Sequence, residues 1–347
     1  MLVVAMTLVL LLLLIGAVLW AGSGKTIHES QGSGIVEAIP GALETTPSPP
    51  EDLTVLSCSM AYGLGDPPPA GRPGDVIALY DRLDQIIETI AASGADVVLL
   101  QEVDFASQRS YDVDQLQYIA AALGWGFVAR AITWECRYLP VPFWPPWRQT
   151  GRLRAGQGII SRYPLVQNSR QRLSQPPAQP LLAPLFAPYR TVQMVDVQCD
   201  GRMIRLLNVH LEPHDVATRQ RQAEELVTFV RRVATPNCVL MGAFRSGVQD
   251  VSAPHDIPGV TLDHTMEIIT TGLRDRLRIV AGTTPAYPAE APCDRRDHAL
   301  VGPGLQTVDT QVVRLDRPVS DHLPLLVRLR WALPLAQHDR SNTREQR

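Results

Sequence analysis

Short apolar runs that break off at a polar residue recur along this chain, and they constrain its fold more than any other feature. Residues 53–59 (LTVLSCS), 97–102 (VVLLQE), 204–210 (IRLLNVH) and 238–243 (CVLMGA) are four of them. Such runs are too short for ordinary helices and almost unbroken in apolar character, as in strands buried on both faces. Between them the period changes. Leu79, Leu83, Ile86, Ile87 and Ile90 predict a helix over residues 75–93, ended by Gly94. A second helix is expected near 114–123, and Ala223, Leu226, Val227 and Val230 mark a third that stops before Pro236. Residues 189–199 and 202–213 read as neighbouring strands joined through Asp200-Gly201, and AGQGIISRYPL reads as a strand followed by a turn at Pro164. Two halves, each a sheet with outer helices, predict one α/β sandwich with two facing sheets.

The first 24 residues have a different character. MLVVAMTLVLLLLLIGAVLWAGSG carries no charged side chain, and Lys25 follows it. A stretch of 18 or more apolar residues is long enough to span a bilayer. A cleaved signal peptide is the competing reading, but it calls for a basic start and a shorter apolar core. We therefore expect a hydrophobic membrane anchor (or signal segment) at 1–24 and a Pro/Gly/Ser-rich linker at 25–50. The folded domain is expected at 51–331, on the outer or extracytoplasmic face, and a polar tail at 332–347. The GSGKT after the anchor lacks the upstream glycine of a phosphate loop, because that position is Leu19.

Composition discards some classes. The chain has 347 residues with 45% hydrophobic content, ample for a core. A net charge of −3 supplies no field to gather a polyanion, which counts against duplex nucleic acid as a substrate. The five cysteines form no C-x-x-C pair, so a structural zinc site is not expected; one disulfide, Cys136 with Cys293, is allowed by the count alone.

The polar residues at the run ends are the candidate functional set. Ser59, Glu102, His210 and Arg245 follow apolar runs, while Asp297, Asp321 and His322 stand at the start of others. Strand ends are where a rigid sheet converges side chains on one cleft. Read in order, QEVD, GIISRYPL, NVHLEP, G-x-F-x-S, RDH and SDHLPL resemble the endonuclease/exonuclease/phosphatase superfamily. That superfamily includes DNase I-like nucleases, inositol phosphatases and neutral sphingomyelinases. The resemblance covers roughly residues 53–331 and implies two facing mixed β-sheets with outer helices, a four-layer α/β sandwich. It also implies a Mg²⁺-dependent phosphoesterase acting on phosphodiester or lipid-headgroup substrates, with a phosphorylated small molecule or lipid headgroup, and the membrane, as partners.

The same resemblance implies roles. Glu102 would be the metal ligand, and His210 would contact the scissile phosphate. Asp297 would orient His322, which acts on the attacking water, and Asp321 would help hold metal or water. Three positions depart from the pattern. Cys58-Ser59 stands where the family has Tyr-Asn, Ala243 where it has the water-positioning Asp, and Arg245 where it has an Asn. Metal binding at Glu102 is therefore expected to be weakened. Two readings of Arg245 stay open: with His210 it binds phosphate, as a planar guanidinium suits, or it swings out to solvent after loss of function. Two functions stay open with them, an altered hydrolase or a non-catalytic relative that binds a phosphorylated ligand or partner.

Residues 134–154 (WECRYLPVPFWPPWRQTGRLR) pack Trp134, Phe143, Trp144 and Trp147 among prolines and arginines. They read either as a stiff loop whose aromatics cover the domain or as a membrane-facing loop, because Trp favours the headgroup region and Arg favours anionic lipid.

Overall fold

The computed structural model describes residues 2–22, 31–33, 35–39, 51–65, 75–177, 186–199, 201–247, 262–280, 284–315 and 317–332. Lys25, most of the expected linker, Asp200 of the hairpin turn and the expected tail beyond residue 332 lie outside these. In chain order the elements are α1 (Leu2–Gly22), β1 (Gln31–Ser33), β2 (Ile35–Ala38), β3 (Asp52–Ser59), α2 (Val76–Ser93), β4 (Val97–Asp104) and α3 (Gln115–Leu123). There follow β5 (Phe127–Leu139), β6 (Gly151–Ser161), β7 (Leu165–Arg172), β8 (Thr191–Cys199), β9 (Arg202–His210) and α4 (Val216–Val233). The last are β10 (Cys238–Ala243), α5 (Thr265–Leu273), β11 (Arg278–Ile279), β12 (Asp297–Val301), β13 (Leu305–Val312) and β14 (Leu325–Trp331).

The strands form two seven-stranded mixed sheets, ordered β1-β7-β8-β9-β10-β12-β11 and β13-β14-β3-β4-β6-β5-β2. The unbroken apolar runs now have a physical reason. Val97 and Leu99 point into the core between the sheets, while Val98 and Leu100 point outward under α2 and α3. In the other sheet Val239 and Met241 face inward, and Cys238 and Leu240 face α4 and α5. Three apolar cores thus separate four layers, helix, sheet, sheet and helix. The helices start where local chemistry dictates: Asp75, Asp114 and Asp215 cap α2, α3 and α4 through side-chain acceptors for backbone N–H groups.

Three expectations are corrected. Where residues 25–50 are described, they are part of the domain: β1 pairs with β7, β2 pairs with β5, and Ile39 donates its N–H to the Gly126 carbonyl at 2.9 Å. An open sheet edge presents unpaired N–H and C=O groups, and the passing chain satisfies them. Residues 134–154 are a hairpin rather than a loop, paired from Trp134–Ala155 to Leu139–Gly151, with only the tip left irregular. All five cysteines are free, Cys136 buried and Cys293 exposed.

The helix α1 touches the sandwich at β5 and is otherwise exposed. At 21 residues it is about 32 Å long, enough for a hydrocarbon layer of about 30 Å. It is apolar on every side and almost wholly exposed, long and apolar enough to cross a membrane; a signal sequence near the N-terminus would look the same.

Candidate functional site

The ends of six strands, three neighbours from each sheet, converge at one edge of the sandwich. Across β9, β10 and β12, His210, Ala243 and Asp297 are consecutive register partners. Ser59 ends β3 opposite Gln101, and Glu102 follows it on β4. Asp321 and His322 lie just before β14, which runs antiparallel to β3 and so enters at the same edge. Asp297 and the Asp321-His322 pair come at strand starts, yet strand direction brings them to the edge where the others end.

Arg245 lies at the centre. It is 8% exposed and points into the cluster, which corrects the expectation that it swings out to solvent. One terminal nitrogen, Nη1, lies 2.7 Å from His322 Nε2 and donates to Asp321 Oδ2 at 3.4 Å. The other, Nη2, donates to Glu102 Oε1 at 3.2 Å and lies 3.4 Å from His210 Nε2. The physical reason is charge: burial lowers the pKa of a guanidinium, but Glu102, Asp321 and Asp297 together hold Arg245 above its ordinary value. Only Nε is left without a partner, and it is buried.

His322 is locked from both sides. Its Nδ1 lies 2.5 Å from Asp297 Oδ2, and Tyr287 packs against the ring at 4.9 Å. Since Arg245 can only donate, Nε2 accepts, which puts the ring proton on Nδ1 facing Asp297. The lone pair that would draw a proton from water is therefore already engaged. His210 is held well below the usual histidine pKa, first by burial, then by the positive charges of Arg190 and Arg245. Arg190 Nη1 is 3.2 Å from both of its ring nitrogens. Sequence reasoning missed Arg190; the signal was its place directly before β8, whose first residue, Thr191, is the register partner of His210. Cys58 is no hidden nucleophile, because burial pushes its thiol up to about 12.

Glu102 and Arg245, which meet here, both hold left-handed backbone, with φ of 56° and 59°. Non-glycine residues pay of order 1–3 kcal/mol for such conformations and keep them where the surroundings enforce them. Beneath the cluster a buried amide network ties the sheets together. Asn208 on β9 donates to the Leu100 carbonyl at 3.0 Å and accepts from Gln101 at 2.8 Å. Beside it, Arg109 forms a two-point pair with Asp104 at 2.9 and 3.0 Å and lies over the rings of Tyr62 and Trp134. Periodicity carried no hint of that aromatic wall.

The residues present do not fit a divalent ion. Glu102 and Asp321 are bridged by a guanidinium, Ala243 brings no ligand atom, and the Ser59 hydroxyl is buried with no partner. No group of three or more His, Cys, Asp or Glu side chains suited to a metal occurs among the described residues. The weakened Mg²⁺ site expected at Glu102 is accordingly not assembled. A monovalent cation that belongs to the chain stands between the carboxylates.

Comparison with known proteins adds to this geometry. The profile of the Endonuclease/Exonuclease/phosphatase family matches residues 62–242. No curated protein matches the chain. Among solved structures, an endonuclease/exonuclease/phosphatase from Beutenbergia cavernae is 20% identical with a TM-score of 0.61, covering 82% of this chain and 72% of its own. The human Nocturnin catalytic domain with bound sulfate anion is 15% identical, TM-score 0.52, covering 86% and 97%. A mannosyl-6-phosphatase from Bacteroides thetaiotaomicron is 16% identical, TM-score 0.51, covering 80% and 99%. At these identities the likeness is one of fold.

Proposed function

Because the chain belongs to the endonuclease/exonuclease/phosphatase family, whose phosphoesterases generally use divalent metal ions, we propose that it is a membrane-tethered member in which Arg245 has taken the place of the ion. In this reading it holds a phosphorylated ligand, a lipid headgroup or a small phosphoester, without metal-dependent hydrolysis. The observation that carries it is the guanidinium between Glu102, Asp321, His210 and His322. A phosphoryl group entering the cleft meets Arg245 and Arg190 and competes with the two carboxylates for the fork of N–H donors. The sulfate in the Nocturnin domain shows that a tetrahedral anion is accepted by a protein of this fold. The tether is supported by α1, uncharged and long enough to span.

The groups that would drive hydrolysis are compromised. A positioned general base contributes roughly 10²–10⁴-fold. Ala243 has no such group, and the Nε2 lone pair of His322 is taken up by Arg245. A second reading, slow hydrolysis with Arg245 standing in for the ion's charge, is favoured only by the intact Asp297–His322 contact.

The test uses the full-length chain in detergent. Inorganic phosphate and phosphocholine are titrated calorimetrically in EDTA and in Mg²⁺, and hydrolysis of bis(p-nitrophenyl) phosphate is followed in both. The expected result is binding that is indifferent to Mg²⁺, weakened by Arg245→Gln, with hydrolysis far below the ordinary enzyme range of roughly 1–10³ s⁻¹. Mg²⁺-dependent turnover inside that range overturns the proposal.

A further inference from the structure

The β5–β6 hairpin carries a feature that neither the core nor the site explains. At its tip Phe143, Trp144 and Trp147 are 86%, 72% and 74% exposed, and the two indoles stack edge to face at 5.9 Å. They cover nothing among the described residues, so the reading of this segment as an internal cover holds for Trp134 and not for these three. The inner side of the hairpin is sealed by other residues: Cys136, Leu139 and Leu153 form a small core with Trp134, whose Nε1 donates to the Phe186 carbonyl at 2.7 Å. The tip is not slack. Thr150 donates its N–H and hydroxyl to the Val141 carbonyl at 2.8 and 2.9 Å, and Gln149 donates to the Phe143 carbonyl at 3.1 Å. Exposed indoles on an ordered frame lose little conformational freedom on binding.

The occupant is indicated by three observations. The helix α1 packs against β5, and its last aromatic residue, Trp20, lies 5.5 Å under the Arg137 guanidinium. A Trp at the end of a spanning helix marks the headgroup level. Seven residues after Arg137 in the chain comes Trp144, at most ~25 Å of backbone away. The same segment holds Arg137, Arg148, Arg152 and Arg154; Arg152 pairs with Asp112 and Arg154 with Glu135, so Arg137 and Arg148 carry the charge offered to anionic lipid. Finally, β5 is also a wall of the cleft: Trp134 packs on Tyr62 at 6.0 Å, and Glu102 contributes to raising the Tyr62 hydroxyl pKa, after burial.

We propose that the tip of the β5–β6 hairpin is a second membrane contact, inserting Trp144 and Trp147 into the headgroup layer of an anionic bilayer and fixing the cleft at a set height beside it. This rests on the tether read from α1. It narrows the ligand class to headgroups of the bilayer in which the chain sits.

The experiment places the full-length chain in phosphatidylcholine/phosphatidylglycerol vesicles whose acyl chains carry bromine near the carbonyl, a shallow quencher, and measures the fraction of Trp emission lost. Six tryptophans emit. If the tip is in the bilayer, Trp144→Ala with Trp147→Ala removes quenched emitters and the quenched fraction falls. If the tip is in water, the same change removes unquenched emitters and the fraction rises. A fall, smaller in pure phosphatidylcholine, is expected; a rise or no change overturns the proposal. Retention through an alkaline carbonate wash is measured alongside and reports α1. A chain that washes off refutes the tether reading, while the sign of the quenching change still decides the hairpin.

Discussion

Arg245 has four terminal N–H groups and four acceptors around them, two carboxylates and two imidazoles. A divalent ion and this guanidinium compete for Glu102, since two unit charges 4 Å apart repel by about 4 kcal/mol at an effective dielectric of 20, and a double charge on the ion makes that about 8. In the proposed reading the change is also local. Asp297 still meets His322, and the strands that carry the neighbouring groups keep their registers. We therefore expect Ala243→Asp with Arg245→Asn and Ser59→Asn to raise Mg²⁺ affinity and phosphodiesterase rate together, the rate by about 10²-fold or more. Calorimetry and a nitrophenyl phosphodiester assay measure the two, and Glu102→Ala in the repaired protein should abolish the gain. A triple variant that binds Mg²⁺ but stays inert would place the loss elsewhere in the cleft.

At the scale of elements, β10 decides where Arg245 can be. It is the central strand among those that form the site edge, parallel to β9 and antiparallel to β12, and it ends at Ala243. Gly242 makes that ending. Its φ is 144°, and a Cβ there would come within 2.2 Å of the Val209 carbonyl oxygen on β9. Beyond it, Phe244 and Arg245 both donate their N–H groups to the Arg296 carbonyl, which turns the chain so that the guanidinium enters the cluster. Gly242→Ala forces the two strands apart and strains the backbone. A loss of about 3 kcal/mol or more is expected in urea unfolding. A loss under about 1 kcal/mol would mean that β9 and β10 tolerate a wider spacing than their register indicates.

At the scale of the whole molecule, the two sheets meet through an apolar core that becomes polar under the site and where Asn168, Arg170 and Gln193 of β7 and β8 reach β5 carbonyls. Under the site Asn208, Gln101 and Gln157 replace aliphatic side chains and bridge β9 to β4 and β6. Buried histidines belong to the same region. His298 is fully buried, with Nε2 2.8 Å from the Ser246 carbonyl, and burial lowers its pKa; that of His210 lies well below its ordinary value for the same leading reason. Each therefore refuses a proton that the unfolded chain takes up near pH 6.5. Across the window below 6.5 the unfolded state binds more protons, so stability is full above it and falls as pH drops, by up to ~1.4 kcal/mol per pH unit for each histidine. Calorimetric Tm should decline between pH 7 and pH 5, and His298→Gln should make the decline shallower. A flat profile would show that both rings are solvated.

The strands and helices were legible in residue order because their determinants are local. Val97 to Leu100 read as a two-faced strand, and Leu79 to Ile90 as a helix, from period alone, and both sit in the cores those periods require. Six motifs in order likewise identified the family frame. Less of the site was legible. Period carries no information on where a long cation points: that was decided by Glu102 and His322, 143 and 77 residues from Arg245 in the chain and brought to it only by sheet order. The edge strands β1 and β2 were hidden for a related reason. Segments of three or four residues are too short to show a core pattern of their own, and pairing is conferred on them by the sheet edge they pass. The hairpin under the exposed indoles was masked by prolines, which stop a strand reading at residue 140, while the pairing of β5 with β6 up to that point is a tertiary fact. The sequence by itself determined which elements form and which chemical groups stand at their ends; the tertiary structure decided which of those groups meet, because charge and burial act between residues that only the fold makes neighbours.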